Sequence, residues 1–353
     1  MTKALTLFLV AAAAAAQQPR ITNAKLETRS AAAGLEPQFQ ALVKAQSAPA
    51  WIGYAVPMVA GQGQMCCWSS ENCCGGCSLE GEGTGAAVQQ PANAGPVRLE
   101  GPDHLVVLFR VEQQRVEKIR NFSPDCALDA GGLPFYWLTD VRPAESIVVL
   151  ASFATARENE PRERRRLSDR AVRSIALHAD AAADKALEQF VAANQPEELR
   201  SRTTFWLGAA RGRHGFEVLQ RLLRDDPSER VREQAVFALS VSKQPEAVDA
   251  ILGVARNDKS PHVRGRALFW LANKAGNKAA GAITDAIAND PDTAVKKQAV
   301  FALSRLPKDD SIRLLIQVAR TNRNPVVRKQ AMFWLGQSRD PRALDFFAEV
   351  LSH

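Results

Sequence analysis

"VRKQAMFWLG" runs from Val327 to Gly336 and sets Phe333 beside Trp334 among polar residues. The phrase recurs. "LRSRTTFWLG" begins at Leu199, "VREQAVFALS" at Val231, "VRGRALFWLA" at Val263 and "VKKQAVFALS" at Val295. The opening residues step by 32, and Phe205, Phe237, Phe269, Phe301 and Phe333 keep the same step. The next position alternates (Trp206, Ala238, Trp270, Ala302, Trp334), so the full period is 64. A weaker copy, "LSDRAVRSIA", starts at Leu167. A fixed period of this length is the signature of a repeat architecture.

Each unit reads as two helices. Apolar residues at offsets 0, 4, 5 and 8, such as Val231, Ala235, Val236 and Leu239, mark the first. Paired apolar positions mark the second, as in Val218-Leu219 with Leu222-Leu223. Asn194, Asp226, Asp258, Asp290 and Asn322 each stand five residues before the opening apolar residue. There an Asx side chain can satisfy free backbone N–H groups of the turn between helices. A helix in such an array touches its partner and both neighbouring repeats, so more than one face is buried. On that ground the Trp positions are expected to fill gaps beside Ala238 and Ala302, and the Phe column to pack on the adjacent repeat. An exposed aromatic ridge for a partner is the competing reading.

The phrase "DDPSERVREQAVFAL" combines Asp, Val-Arg, Ala at offset 4 and Leu at offset 8. It resembles the HEAT-repeat family, in particular the short HEAT-like repeats first named from phycobilisome lyases. The likeness covers residues 167–353. It implies a mainly α fold, an α-solenoid of about six 32-residue repeats, used as a scaffold for many kinds of partner. It also implies a stacked ladder of Asp226, Asp258 and Asp290 with Arg232, Arg264 and Lys296. Asn194 and Asn322 depart from that ladder at its ends.

The chain of 353 residues starts "MTKALTLFLVAAAAAAQQP". Lys3, an apolar run from Ala4 to Ala16 and small residues at Ala14 and Ala16 fit a secretory signal peptide, residues 1–16. The mature protein is then exported, periplasmic or extracellular, soluble and monomeric. An uncleaved anchor is the alternative. Residues 17–150 hold 10 basic and 13 acidic side chains. Residues 151–353 hold 34 and 25, a net of +9. This basic half suits a protein or an acidic polymer. Nucleic acid is not expected, because bases and acids are mixed rather than clustered with aromatics.

Residues 17–155 lack the period and read as a small α+β domain, joined to the repeats by a charged linker, residues 156–166. "WIGYAVPMV" from Trp51 suits a strand. "HLVVLFRVEQQRVEKIRNF" from His104 suits a hairpin turning at "EQQR". "PAESIVVLASFATA" from Pro143 suits a helix, and "GEGTGAAVQQPANAGP" from Gly81 a loop. All six cysteines lie here: Cys66, Cys67, Cys73, Cys74, Cys77 and Cys126. In an exported chain an even count implies disulfides. If all pair, Cys126 joins one of the other five. A redox or metal-handling head, with the repeats as adaptor, is the alternative function.

Signatures of catalysis are missing: no Gly-x-Ser-x-Gly, no His-Glu-x-x-His and no phosphate-binding glycine loop. His178 and His214 read as lone surface histidines. No cofactor is expected, and the chain reads as a non-catalytic binding scaffold of the cell envelope. By family resemblance the second helices carry the partner face. Polar columns there include Arg224, Arg256 and Arg320, and Arg221, Asp285 and Gln317. The first column would meet an acidic ligand, or would only complement helix C-termini.

Overall fold

The computed structural model describes residues 18–63, 65–66, 76–80, 102–155 and 161–352. The signal segment, the loop from Gly81 and cysteines 67, 73 and 74 therefore lie outside the described residues. By contacts the chain divides into two compact units between Thr203 and Thr204.

The first unit is built on two sheets. The larger has five strands in the order β2 (Lys25–Ser30), β8 (Pro134–Thr139), β3 (Ala50–Pro57), β5 (His104–Glu112) and β6 (Arg115–Phe122). β8 runs parallel to β2 and β3, whereas β3, β5 and β6 are antiparallel. The smaller sheet is parallel, with β7 (Ala127–Asp129) between β1 (Arg20–Thr22) and β4 (Gly76–Ser78). The hairpin turns at Gln113 and Gln114, both with positive φ (51° and 59°). A two-residue loop needs that twist, even without the usual Asn-Gly.

One core cluster gathers Trp51, Val106, Leu108, Phe122, Leu128, Phe135 and Trp137. Trp51 donates its indole N–H to Glu80 at 2.9 Å, and Glu80 also accepts from Arg110 at 3.0 Å. A second aromatic group stands on α1 (Leu35–Ala45), α2 (Pro143–Ala154) and the sheet. There the Phe39 and Phe109 rings meet edge-on at 4.7 Å, and Phe153 lies 6.1 Å from Phe109.

Helix α3 (Arg162–Leu177) begins inside the run expected to be linker. Arg and Glu are good helix formers, and Pro161 stands at its N-cap. Residues 156–160 lie outside the described residues. His178, expected at the surface, is fully buried at the end of α3. Its Nδ1 donates to the Ser174 carbonyl at 2.7 Å, which leaves Nε2 to accept from Ser146 Oγ at 2.9 Å. Ser146 Oγ in turn lies 2.8 Å from Tyr54 Oη. Burial pushes the Tyr54 phenol well above its ordinary pKa, and the hydrogen bond to Ser146 offsets only part of that. The three groups form a closed, satisfied polar chain.

From α3 onward the chain is helix pairs. α3 pairs with α4 (Ala182–Phe190), and α5 (Glu197–Ala210) carries the chain into the second unit. First helices there are α7 (Glu229–Val241), α9 (Pro261–Ala275), α11 (Thr293–Ser304) and α13 (Pro325–Gln337). Second helices are α6 (Gly212–Asp225), α8 (Ala247–Asn257), α10 (Ala280–Asn289), α12 (Lys308–Thr321) and α14 (Pro341–Leu351). The apolar offsets are buried as the spacing implies: Val231, Ala235, Val236 and Leu239 are all solvent-free. Gly208 lies against Ala238, and a Cβ there would sit 2.2 Å from the Ala238 carbonyl oxygen. Only glycine permits that approach of α5 to α7.

Turn chemistry divides between two positions. Four of the five Asx residues that stand five before an opening residue close the turn, since Asp226, Asp258, Asp290 and Asn322 accept from the N–H two residues on, at 2.8 to 2.9 Å, whereas the residue two after Asn194 is Pro196, which has no N–H. The helix cap itself is the residue three before, Ser228, Ser260, Asp292 or Asn324. Two rungs of the ladder implied by the resemblance stand among the described residues. Arg232 reaches Asp258 at 2.9 Å and Arg264 reaches Asp290 at 2.8 Å. Lys296 instead donates to the Ala288 carbonyl, and Asn322 offers no carboxylate to it.

Candidate interaction surface

The first helices of the second unit display their aromatics as one unbroken ribbon. Phe205 touches Trp206 at 5.0 Å and stacks on Phe237 at 5.6 Å. Phe237 meets Trp270 at 4.7 Å, and Trp270 meets Phe269 at 5.0 Å. Phe269 stacks on Phe301 at 5.6 Å, Phe301 meets Trp334 at 4.9 Å, and Trp334 meets Phe333 at 5.0 Å. Eight rings from five helices thus run in contact. The 32-residue step stacks Phe205 on Phe237 and Phe269 on Phe301, and at the alternate junctions the Trp that recurs every 64 residues takes the contact with Phe237 and Phe301.

Both readings of these columns contain part of the answer. The rings do pack on the adjacent repeat. Yet they are half-buried rather than enclosed, and Phe333 at the end is 52% exposed. The Nε1 atoms of Trp270 and Trp334 are buried with no acceptor among the described residues. Val326, 47% exposed, stands one turn before Gln330 on the helix of Phe333. A row of rings with one open edge is the kind of patch that monomeric surfaces seldom carry without a use.

Arg266 on α9 lies 5.4 Å from the Phe269 ring and 5.9 Å from the Trp270 ring, and its Nε stands 2.8 Å from Glu233. An open depression of about 370 Å³ lies between α11 and α13, lined by Lys297, Gln298, Phe301, Gln330 and Trp334. None of these polar residues was singled out from the sequence. The signal was available: Arg202, Arg266 and Gln330 share an offset of three from the opening residue, one 64-residue step apart.

The polar columns of the second helices are less unified. Arg224 pairs with its neighbour Asp225 at 3.1 Å. Arg320 reaches Glu349 at 2.5 Å and lies 5.4 Å over the Phe346 ring. Arg256 is exposed in the last turn of α8, and the α10 member is Ala288, so the column is interrupted. Arg221, Asp285 and Gln317 are exposed on α6, α10 and α12, the α8 position being Gly253, and Asp285 accepts from Asn289 at 2.7 Å.

In the first unit, Cys66 is joined to Cys126, 60 residues away, and buried Cys77 is likewise in a disulfide. Asp125 brings a carboxylate oxygen within 4.8 Å of both the Cys66 and Cys126 sulfurs. Those sulfurs are bonded to each other, so they are not thiolate ligands for a metal. No helix of the described residues is long and apolar enough to cross a membrane.

Comparison with known proteins agrees with the repeat reading. Residues 184–272 and 280–353 match the HEAT repeats family. No curated protein matches the chain. Among solved structures, the complex of CpcE and CpcF of phycocyanin lyase from Nostoc sp. is 20% identical, over 56% of this chain and 77% of that one, with a TM-score of 0.33. Human deoxyhypusine hydroxylase in complex with glycerol is 16% identical over 59% and 90%, with a TM-score of 0.26. The S. pombe condensin Cnd3-Cnd2 subcomplex is 17% identical over 58% and 28%, with a TM-score of 0.36. The C-terminal half of this chain, from Asp184 onward, is therefore an array of HEAT repeats.

Proposed function

We propose that this protein is an exported, monomeric, non-catalytic scaffold that binds another protein through the aromatic ribbon of its HEAT array. The observation that carries the reading is the contact chain from Trp206 to Phe333, half-buried along its length and open at its end. Aromatic anchors supply most of the binding energy at protein interfaces. The family match supports a scaffold role.

Export is supported by the first sixteen residues and by the Cys66–Cys126 bridge, which suits an oxidising compartment. A non-catalytic role is supported by the buried Tyr54–Ser146–His178 chain. Its serine and histidine are in contact, as in a hydrolase, but neither has access to solvent. The alternative of a redox or metal-handling head has less support, because Cys126 is bonded and fully buried.

Site-specific photo-crosslinking tests the reading. The full chain, carrying p-benzoylphenylalanine in place of Phe333 or of Arg256, is expressed in its native host. A defined crosslinked partner from position 333 and none from position 256 is expected. Crosslinks from 256 alone would move the site to the second helices. N-terminal sequencing of the exported protein is expected to begin at or near Gln17, and retention of Met1 would remove the export reading.

A further inference from the structure

The 64-residue period gives each residue a counterpart one block away, and at one place the counterparts disagree. On α7 and α9, Glu233 holds Arg266 at 2.8 Å and His262 at 3.3 Å. Arg266 lies against the rings of Phe269 and Trp270. One block earlier the same pair stands as Asp169 and Arg202, at 2.5 Å. One block later the three positions are Lys297, Val326 and Gln330. The acid has become a base, the histidine an exposed valine, and the arginine an amide. It is at this block that the depression opens over Phe301 and Trp334.

Among the described residues, Lys297, Gln298 and Gln330 have no hydrogen-bond or ion-pair partner, in contrast to Glu233 and Arg266. Lys329 repeats the Lys297 offset on the next helix and is exposed too. The rim of the depression is therefore cationic, and no carboxylate lines it. Its floor is aromatic. Its two amides offer donors and acceptors together, the complement of a peptide backbone. An extended polyproline-type segment presents a fully solvated backbone and flat apolar rings, and aromatic grooves take such segments.

We propose that the depression between α11 and α13 seats an extended acidic segment of the partner protein. A proline lies on Trp334 and Phe301, and a neighbouring carboxylate pairs with Lys297. The inference rests on the protein-binding reading above and names the chemistry of the partner. The other two blocks do not compete for the segment, because the Asp169–Arg202 and Glu233–Arg266 pairs hold the equivalent positions with their own charge.

The test uses the full chain labelled with 5-fluorotryptophan and a synthetic peptide of about twelve residues alternating Pro and Glu. The Trp334 fluorine signal, assigned with Trp334→Phe, is expected to shift and saturate, and the affinity to fall as salt rises. The double variant Lys297→Glu with Gln330→Arg rebuilds a pair the chain already uses twice, and is expected to weaken binding by about tenfold or more. The reciprocal Glu233→Lys with Arg266→Gln is expected to raise the stoichiometry from one peptide to two. An unmoved Trp334 signal, or an equal response to a Pro-Lys peptide, overturns the inference. So does binding of an oligogalacturonate without binding of the peptide, which would assign the site to an acidic glycan. If the peptide fails while position 333 still crosslinks to a protein, this inference falls and the scaffold reading stands.

Discussion

The sheet-bearing unit and the HEAT array bury aromatics by opposite rules. In the first unit the enclosed rings come from distant segments: Trp51 on β3 sits with Phe135 on β8 and Phe122 on β6. A disulfide ties residues 60 apart. In the array each ring meets a ring on its own helix or 32 or 33 residues away, and the rings stay half-exposed. Long-range burial makes a region stand or fall as a whole, whereas nearest-neighbour burial lets each repeat carry its own share. The same difference leaves the array with an open aromatic surface.

The sharpest test of this contrast lies in the first unit. Trp51→Ala removes a fully buried ring and the Nε1 bond to Glu80. It is expected to cost about 4 kcal/mol. Hydrogen exchange should accelerate across all five strands of the larger sheet together. Faster exchange confined to β3 would break the comparison.

The next effect should be local. Arg264→Leu leaves Asp290 buried without its guanidinium partner and is expected to cost about 3 kcal/mol. Exchange should quicken mainly in the turns flanking α9 and α11. Burial pushes the Asp290 carboxyl up, but the Arg264 hydrogen bond and the charges of Arg264 and Lys296 outweigh it and hold the group below its ordinary value. A carboxyl depressed in the folded state adds stability above its unfolded pKa, near 4, and loses it as pH falls toward the folded value. Asp290→Asn should therefore flatten that part of the acid dependence in a urea series run from pH 6 to about pH 2. An unchanged slope would remove the rung from the account of stability.

Trp270→Ala breaks the ribbon between Phe237 and Phe269. The ring is only half-buried, so about 2 kcal/mol is expected, below the usual range for an enclosed Trp. A loss as large as that of Trp51→Ala, read by denaturant titration, would make the ribbon a core element rather than a surface. The smallest effect is expected from joint replacement of Arg224, Arg256 and Arg320 by Ala. The unfolding midpoint should stay within error, and crosslinking from position 333 should persist. Loss of that crosslink at low salt would bring the arginine column into the binding surface.

Much of the array was legible because helical packing repeats. Opening residues at steps of 32 named the first helices, and Val231, Val263, Val295 and Val327 are all buried as the spacing required. The Asx residues pointed to the turns, although the caps stand two residues later, where Ser228 and Ser260 accept from the opening residue's own N–H. Asx and Ser both suit such positions, and only the backbone path distinguishes turn from cap. The hairpin at "EQQR" was visible from its alternation. The second sheet was not, because its strands are three residues long and pair in parallel across 51 positions for β4 with β7 and 107 for β1 with β7. His178 was misplaced for a related reason. Burial of one histidine depends on Ser146 and Tyr54, which reach it from elsewhere in the chain.

By itself the sequence determined the repeat, its two-helix unit and the 64-residue alternation, because each of these is a local rule applied again and again, whereas the Asp–Arg ladder was implied by the family resemblance. Tertiary structure alone decided how far the rings are covered, which cysteine joins Cys126, and that Lys296 turns to the Ala288 carbonyl. It also decided that a depression lies beside Trp334. These outcomes depend on what the neighbouring repeat or strand places opposite a residue, and a side chain's own identity does not contain that information.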